Sequence, residues 1–305
     1  MILKKAVQGI AIFALPIALL FACGSPDKPD SAITEAEVSG ENDANDSDET
    51  IGKVQDIFFS VPSPMEMASL LKKAGADYDM SLLNDVKKVH DYTTARSQAL
   101  NLGVYGANLS YASIFNQNQE SIIYLSCTKK LAEKLGVTKA FDDKTIERME
   151  ANIENRDSLL NIVSETYYML DAYLKENDRD HISAMVIAAG WVEGLYMATS
   201  IAKISEEPDE KLLERIAEQK LSLNNLVELV EAYNNEGQLD EILADLEKIN
   251  NAYSDVSIEK AKATISEGED GAAVIGGGSK SPGMSAETLQ NITSVVSEIR
   301  SKYVS

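Results

Sequence analysis

The sequence predicts an all-α protein, a multi-helix bundle of about eight or nine helices built as antiparallel hairpins. Three observations lead there. Aromatic residues are only 6% of the 305, and Pro and Gly are sparse outside two short regions, which disfavours a turn-rich sandwich or barrel. Apolar residues recur at three- and four-residue steps in one segment after another. Finally, two nearly uncharged segments carry small residues at every fourth position. In ISAMVIAAGWVEGLYMATSIA (182–202) these are Gly190, Gly194, Ala198 and Ala202, and upstream they are Ala95, Ala99, Gly103 and Ala107. On a helix each set forms a shallow stripe that lets a second backbone approach closely. The expectation is that these two helices cross at the centre of the body.

Composition bounds the function. The formal charge is −21, with 49 acidic against 28 basic residues. Such a surface repels phosphate backbones, so nucleic-acid binding is excluded as a reading.

Residues 1–22 read as a lipoprotein signal peptide. Lys4 and Lys5 form a positive start, residues 6–21 are uncharged and largely apolar, and the run ends Leu20-Phe21-Ala22-Cys23. This ending resembles the lipobox of bacterial lipoproteins, in which the cysteine is acylated (palmitate among the chains) and becomes the new N-terminus. Ala22 and Leu20 fit the pattern, and Phe21 departs from it. Cleavage removes two lysines and no acid, leaving the mature chain more negative still. Each buried methylene of the acyl chains adds about 0.8 kcal/mol of membrane affinity. No aspartate stands at the second mature position, which points to the outer membrane, facing either the periplasm or the medium. The expected partners are the membrane, through this anchor, and an unidentified protein or small molecule.

Residues 23–54 are acidic, small and polar, and read as a flexible tether that cannot bury enough surface to order itself. Asp30-Ser31-Ala32 matches a short O-glycosylation pattern used in the Bacteroidota, making Ser31 a candidate. Asp157-Ser158-Leu159 matches it too but reads as a helix start.

The helical body is expected over 55–256. IFFSVPSP (57–64) is held off helix by its prolines. Ser63-Pro64-Met65-Glu66 is a capping box with proline in the first turn, and the helix it opens stops at Gly75. A short helix around 81–90 leads to the first stripe helix, about 93–115, which lacks any charge between Arg96 and Glu120. Further helices are expected at 119–135, ending at Gly136, and at 141–155 and 156–175. A break at Asn177-Asp178 feeds the central helix. Pro208 opens a long helix to about 235, closed by Gly237, and Leu239, Ile242, Leu246, Ile249 and Tyr253 mark another seam. Residues 257–283 read as a Gly/Ser-rich linker. Residues 284–305 read as an amphipathic helix with Leu289, Ile292, Val296, Ile299 and Tyr303 on one side, destined either for the body or for a partner. GVYGANLSYASI (103–114) and GWVEGLYMATSI (190–201) align without gaps at a constant offset, as a duplicated three-helix unit would.

The chemistry is thin. Glu193, amid Trp191, Val192, Leu195 and Tyr196, is either paired or shifted in pKa by desolvation. Arg96, Arg148 and Arg156 are its candidate partners. Asn101, Tyr105 and Asn108 share an inward helix face, and with Glu193 they make a candidate buried polar site. The 182–202 helix is long enough to span a bilayer, but its mid-helix carboxylate argues for a protein core instead. His90 and His181 do not follow glutamates at the di-metal spacing, so no metal or other cofactor is expected. Cys127, on an apolar face, reads as inert core.

FFSVPSPMEMASLLKKAGADYD, ALNLGVYGANLSYASIFNQ, NRDSLLNIVSETYYMLDAYLKEN and GWVEGLYMA resemble a group of lipid-anchored helical proteins of the Bacteroidota without known activity. The resemblance covers most of 57–205 and implies an all-helical fold and an envelope location, with no catalytic residue to carry over. Two functions stand open: a non-enzymatic binding or scaffold lipoprotein with a groove where the stripe helices meet, or an enzyme or ligand-sensing domain using Glu193 with Asn101, Tyr105 and Asn108.

Overall fold

The computed structural model describes residues 61, 63–204, 209–258, 264–267, 273–276 and 283–305. The signal peptide, Cys23, Ser31, the tether, most of the 57–64 lead-in and Pro208 lie outside the described residues.

Nine α-helices are present among the described residues: α1 (Pro64–Lys73), α2 (Ala95–Ile114), α3 (Asn118–Leu135), α4 (Asp143–Ala151), α5 (Arg156–Lys175), α6 (Asp180–Ile204), α7 (Glu210–Ala232), α8 (Asp240–Ala252) and α9 (Ala286–Tyr303). The fold is all-α. Local signals set the helix ends. The Ser63 hydroxyl accepts from the Glu66 amide while the Glu66 carboxylate accepts from the Ser63 amide, so the capping box is complete. Gly136 ends α3 at φ 70°, where a side chain would be strained. Asp178 holds the break before α6 at φ 54°, a conformation aspartate tolerates better than most residues.

The expected short helix at 81–90 is different in kind. It is two 3₁₀ turns, Met80–Leu82 and Val86–His90, started by the side chains of Asp79 and Asp85. Between them Asn84 is buried with its backbone amide and carbonyl both bonded to side chains, which a continuous α-helix would not allow.

The centre of the body is the pair α2 and α6, which make the most extensive contact in the molecule. From Gln98 to Ile114 every residue of α2 is buried, which accounts for its lack of charge. The crossing is closest at Gly103. A methyl group there would press into the Val186 carbonyl and lie 2.8 Å from the Gly190 nitrogen. Gly103 and Gly190 are also the paired positions of the internal alignment, and each of their helices has one helix before it and one after it.

The second stripe is only partly used for this crossing. Gly194 faces α1, where an added Cβ would sit 2.9 Å from Met67 Cγ. The small residues of α6 therefore admit two neighbours, α2 and α1. The space beside Gly103 is filled by the α6 backbone and that beside Gly194 by the Met67 side chain. α6 is apolar and long enough to cross a membrane, but its apolar stretch is buried inside the protein body.

Around this pair, α3 packs on α2, α5 and α7 pack on α6, and α4 packs on α5. α9 packs on α6 and α8, burying Leu289, Ile292, Val296, Ile299 and Tyr303. Each such side chain contributes about 1.5–3 kcal/mol. The C-terminal helix is thus part of the core.

The segment before α9 is more than a spacer. Within it, β1 (Thr264–Glu267) and β2 (Ala273–Gly276) pair antiparallel, Thr264 opposite Gly276. Ser257 and Gly283 bridge to each other, so the excursion ends where it began. That closure returns the chain beside α8, where Lys302 pairs with buried Asp245 at 2.8 Å.

Candidate functional site

Glu193 is 0% exposed, in the middle of α6. Its partner is Arg300 of α9: Nε lies 2.9 Å from Oε2, and Nη2 donates to Oε1 at 3.2 Å. The partners expected from sequence are engaged elsewhere. Arg96 pairs with Glu241 and Arg148 with Glu165, both near the surface, and the Arg156 side chain is outside the described residues. A charge this deep needs a cation that enters the core, and only a helix seam supplies one. Arg300 sits next to Ile299 on the buried side of α9, and its guanidinium also lies 4.7 Å from the centroid of the Tyr196 ring. Burial pulls the Arg300 pKa down, but the Glu193 carboxylate more than offsets this and holds it above the ordinary arginine value.

From Glu193 the polar network runs inward. Asn108 Nδ2 donates to Glu193 Oε1 at 2.7 Å, and Asn108 Oδ1 accepts from the Asn84 amide at 2.9 Å. Asn84 Nδ2 then reaches the Tyr92 hydroxyl at 3.0 Å and Asn101 Oδ1 at 3.4 Å, while its carbonyl accepts from the Tyr124 hydroxyl. Asn101 Nδ2 closes the chain by donating to the Tyr303 carbonyl at 2.8 Å. Lys88 Nζ donates to the Val304 carbonyl at 2.8 Å. The Arg300 side chain is therefore held chiefly by α6, and the Tyr303 and Val304 carbonyls at the end of α9 by Asn101 of α2 and Lys88.

Of the four candidates, Glu193, Asn108 and Asn101 do join one network. Tyr105 adjoins the network through Tyr92. Its hydroxyl donates to the Asp85 carbonyl at 2.8 Å and its ring packs between Tyr92 and Tyr124. Asn84, Tyr92, Tyr124 and Arg300 were missed. The signal for Arg300 was a lone arginine beside a hydrophobic seam. The other three gave none: Asn84 lies between two 3₁₀ turns, Tyr92 follows the second, and Tyr124 sits within α3 with no local mark of a distant polar partner.

Chemically this site is closed. Both Glu193 oxygens are occupied, and burial raises the pKa of the Tyr105 and Tyr124 hydroxyls, keeping them neutral donors. Cys127 is also buried, its thiol pushed up to about 11 by desolvation. Among the described residues no group of three or more His, Cys, Asp or Glu side chains is placed to hold a metal ion.

Two surface concavities flank this core. One, of about 260 Å³, lies against Tyr78, Asp77, Asp79 and Asp209. The larger, about 580 Å³, runs between α6 and α9 over Tyr196 and Leu82. Compared with known proteins, the chain matches no family model, no curated protein and no solved structure.

Proposed function

We propose that the chain is a lipid-anchored envelope protein whose helical body is a non-enzymatic binding or scaffold module. The observation that carries the non-enzymatic part is the closure around Glu193. A general acid or base must reach the proton it moves, and here both carboxylate oxygens are bonded inside a core with no exposed surface. The same closure removes the support for a ligand-sensing site formed by Glu193 with Asn101, Tyr105 and Asn108.

The anchoring part rests on Leu20-Phe21-Ala22-Cys23 and the acidic tether after it, with the resemblance to lipid-anchored proteins of the Bacteroidota in support. Under this reading Cys23 carries the acyl chains, the body hangs at the outer membrane, and Ser31 is an O-glycan acceptor.

Two measurements test it together. Metabolic labelling with a palmitate analogue should mark the chain, and Cys23→Ser should abolish both the label and membrane sedimentation. Cross-linking in intact cells followed by capture of the anchored chain should then recover a discrete envelope component. An unlabelled chain that sediments regardless of Cys23 contradicts the anchor. A chain that captures nothing, and turns over a substrate in a Glu193-dependent way, contradicts the module.

A further inference from the structure

The groove between α6 and α9 has a composition unlike the rest of the surface. Tyr196, Ser200 and Lys203 line one side at helical spacing, and Gln290, Ser294 and Ser297 line the other. Leu82, itself buried, and the half-buried Tyr196 are its apolar lining, and the Arg300 guanidinium lies against the Tyr196 ring. Among the described residues, no acidic side chain lines this groove. Its volume, about 580 Å³, falls within the range of about 300–1,000 Å³ common for small-ligand clefts, whereas the cavity beside Tyr78 falls short of it.

We propose that this groove binds carbohydrate, a short oligosaccharide lying along the α6–α9 seam. This rests on the reading of the body as a binding module and names its ligand class. Serine hydroxyls and a glutamine amide each donate and accept, as a sugar hydroxyl does, so they can satisfy a ligand that presents both roles at every carbon. An aromatic ring with an aliphatic neighbour suits the C–H face of a pyranose, and a tyrosine offers that face with a polar edge. The alternatives fit less well. A phosphate chain wants several cations, and among the described residues Lys203 is the one cation lining this groove. A peptide helix wants apolar anchors at successive turns, and the apolar lining provides two residues.

The test uses the full chain in detergent, titrated by calorimetry with maltotriose, cellotriose, chitotriose and trigalacturonate. The expected result is saturable binding of at least one of them, weakened at least tenfold by the double substitution Gln290→Ala with Ser294→Ala, and abolished by Ser200→Trp, which fills the groove. Gln290 and Ser294 are exposed and Ser200 is half-buried, and an unchanged thermal melt verifies that each variant is folded. Binding of none of the four, or binding that the folded double variant leaves unchanged, overturns the proposal. If the sugars fail while the anchored chain still captures an envelope component, the carbohydrate assignment falls and the binding-module reading stands.

Discussion

Arg300 and Glu193 stand 107 residues apart in the chain, yet their side chains meet at 2.9 Å in the core, and this pair ties the last helix to the central one. Taking charges out of water is costly, so the arrangement persists because nothing is left unpaired: Asn108 bonds one carboxylate oxygen, and the Leu82 carbonyl and Tyr196 ring hold the guanidinium. Removing one partner strands the other. Arg300→Met leaves a buried carboxylate without its cation and should cost about 3–5 kcal/mol of stability, read as a lower urea midpoint. A loss under about 1 kcal/mol, typical of surface pairs, would place this pair in solvent.

The glycine crossing predicts a graded series. Gly103→Ala drives a methyl into backbone, which cannot rotate away, and should destabilise by about 1–3 kcal/mol or more. Gly194→Ala meets the root of the Met67 side chain, at Cγ and Cβ, rather than backbone, and should cost less than Gly103→Ala. At Gly190 the nearest atoms to a new methyl are Pro64 Cγ at 3.3 Å and the Gly103 carbonyl oxygen at 3.4 Å. There the gain of about 0.5–1 kcal/mol from replacing a mid-helix glycine nearly offsets the crowding. Equal effects at the three sites would argue against the close approach.

Alkaline stability follows from buried neutral groups. Desolvation raises the Cys127 thiol from 9.0 to about 11 and the Tyr78 hydroxyl from 10.0 to about 12. The unfolded chain therefore loses these protons first, and stability depends on pH accordingly. The contribution is whole below about pH 9 and is lost as pH rises through about 11 to 12. Thermal melts should be flat near neutrality and fall above pH 9, with Cys127→Ala removing the earliest part of the fall. In a Cys23→Ser chain the remaining thiol should also react slowly with a disulfide reagent at pH 8, and rapid reaction would contradict its burial.

The last helix should be essential to the fold. Ile292 and Val296 are fully buried, so Ile292→Ala should cost about 2–5 kcal/mol. Deleting residues 285–305 should leave an aggregating chain, since α6 would lose its cover along one side and Asn101 the carbonyl it bonds. A monomeric, cooperatively folding truncation would show instead that α9 is dispensable.

Much of this architecture is legible from residue order. Ser63, Gly136 and Asp178 announce their helix ends through local chemistry, and the uncharged 97–119 stretch announces its burial. What escapes is long-range. Nothing near Glu193 names Arg300, because a helix seam records its apolar residues and is silent about what lies across from them. Asn84 is equally hidden: its role depends on two 3₁₀ turns whose polar contacts come from α2 and α3. The stripe on α6 shows that something approaches closely, but small residues carry no mark of the neighbour, so Gly194 meeting Met67 could not be read from spacing. The paired strands Thr264–Glu267 and Ala273–Gly276 hide in a Gly-rich composition that ordinarily signals a linker.

The most direct test of the central claim, that a closed ion pair joins the C-terminal helix to the core, is a double-mutant cycle. Equilibrium urea unfolding of the parent chain, Glu193→Gln, Arg300→Met and the double variant gives the coupling between the two side chains. A desolvated, bonded pair predicts that the double variant is less damaged than the sum of the singles, with a coupling of about 2–3 kcal/mol. Additivity within about 0.5 kcal/mol would mean that the two charges do not meet, and the account of the core would be wrong.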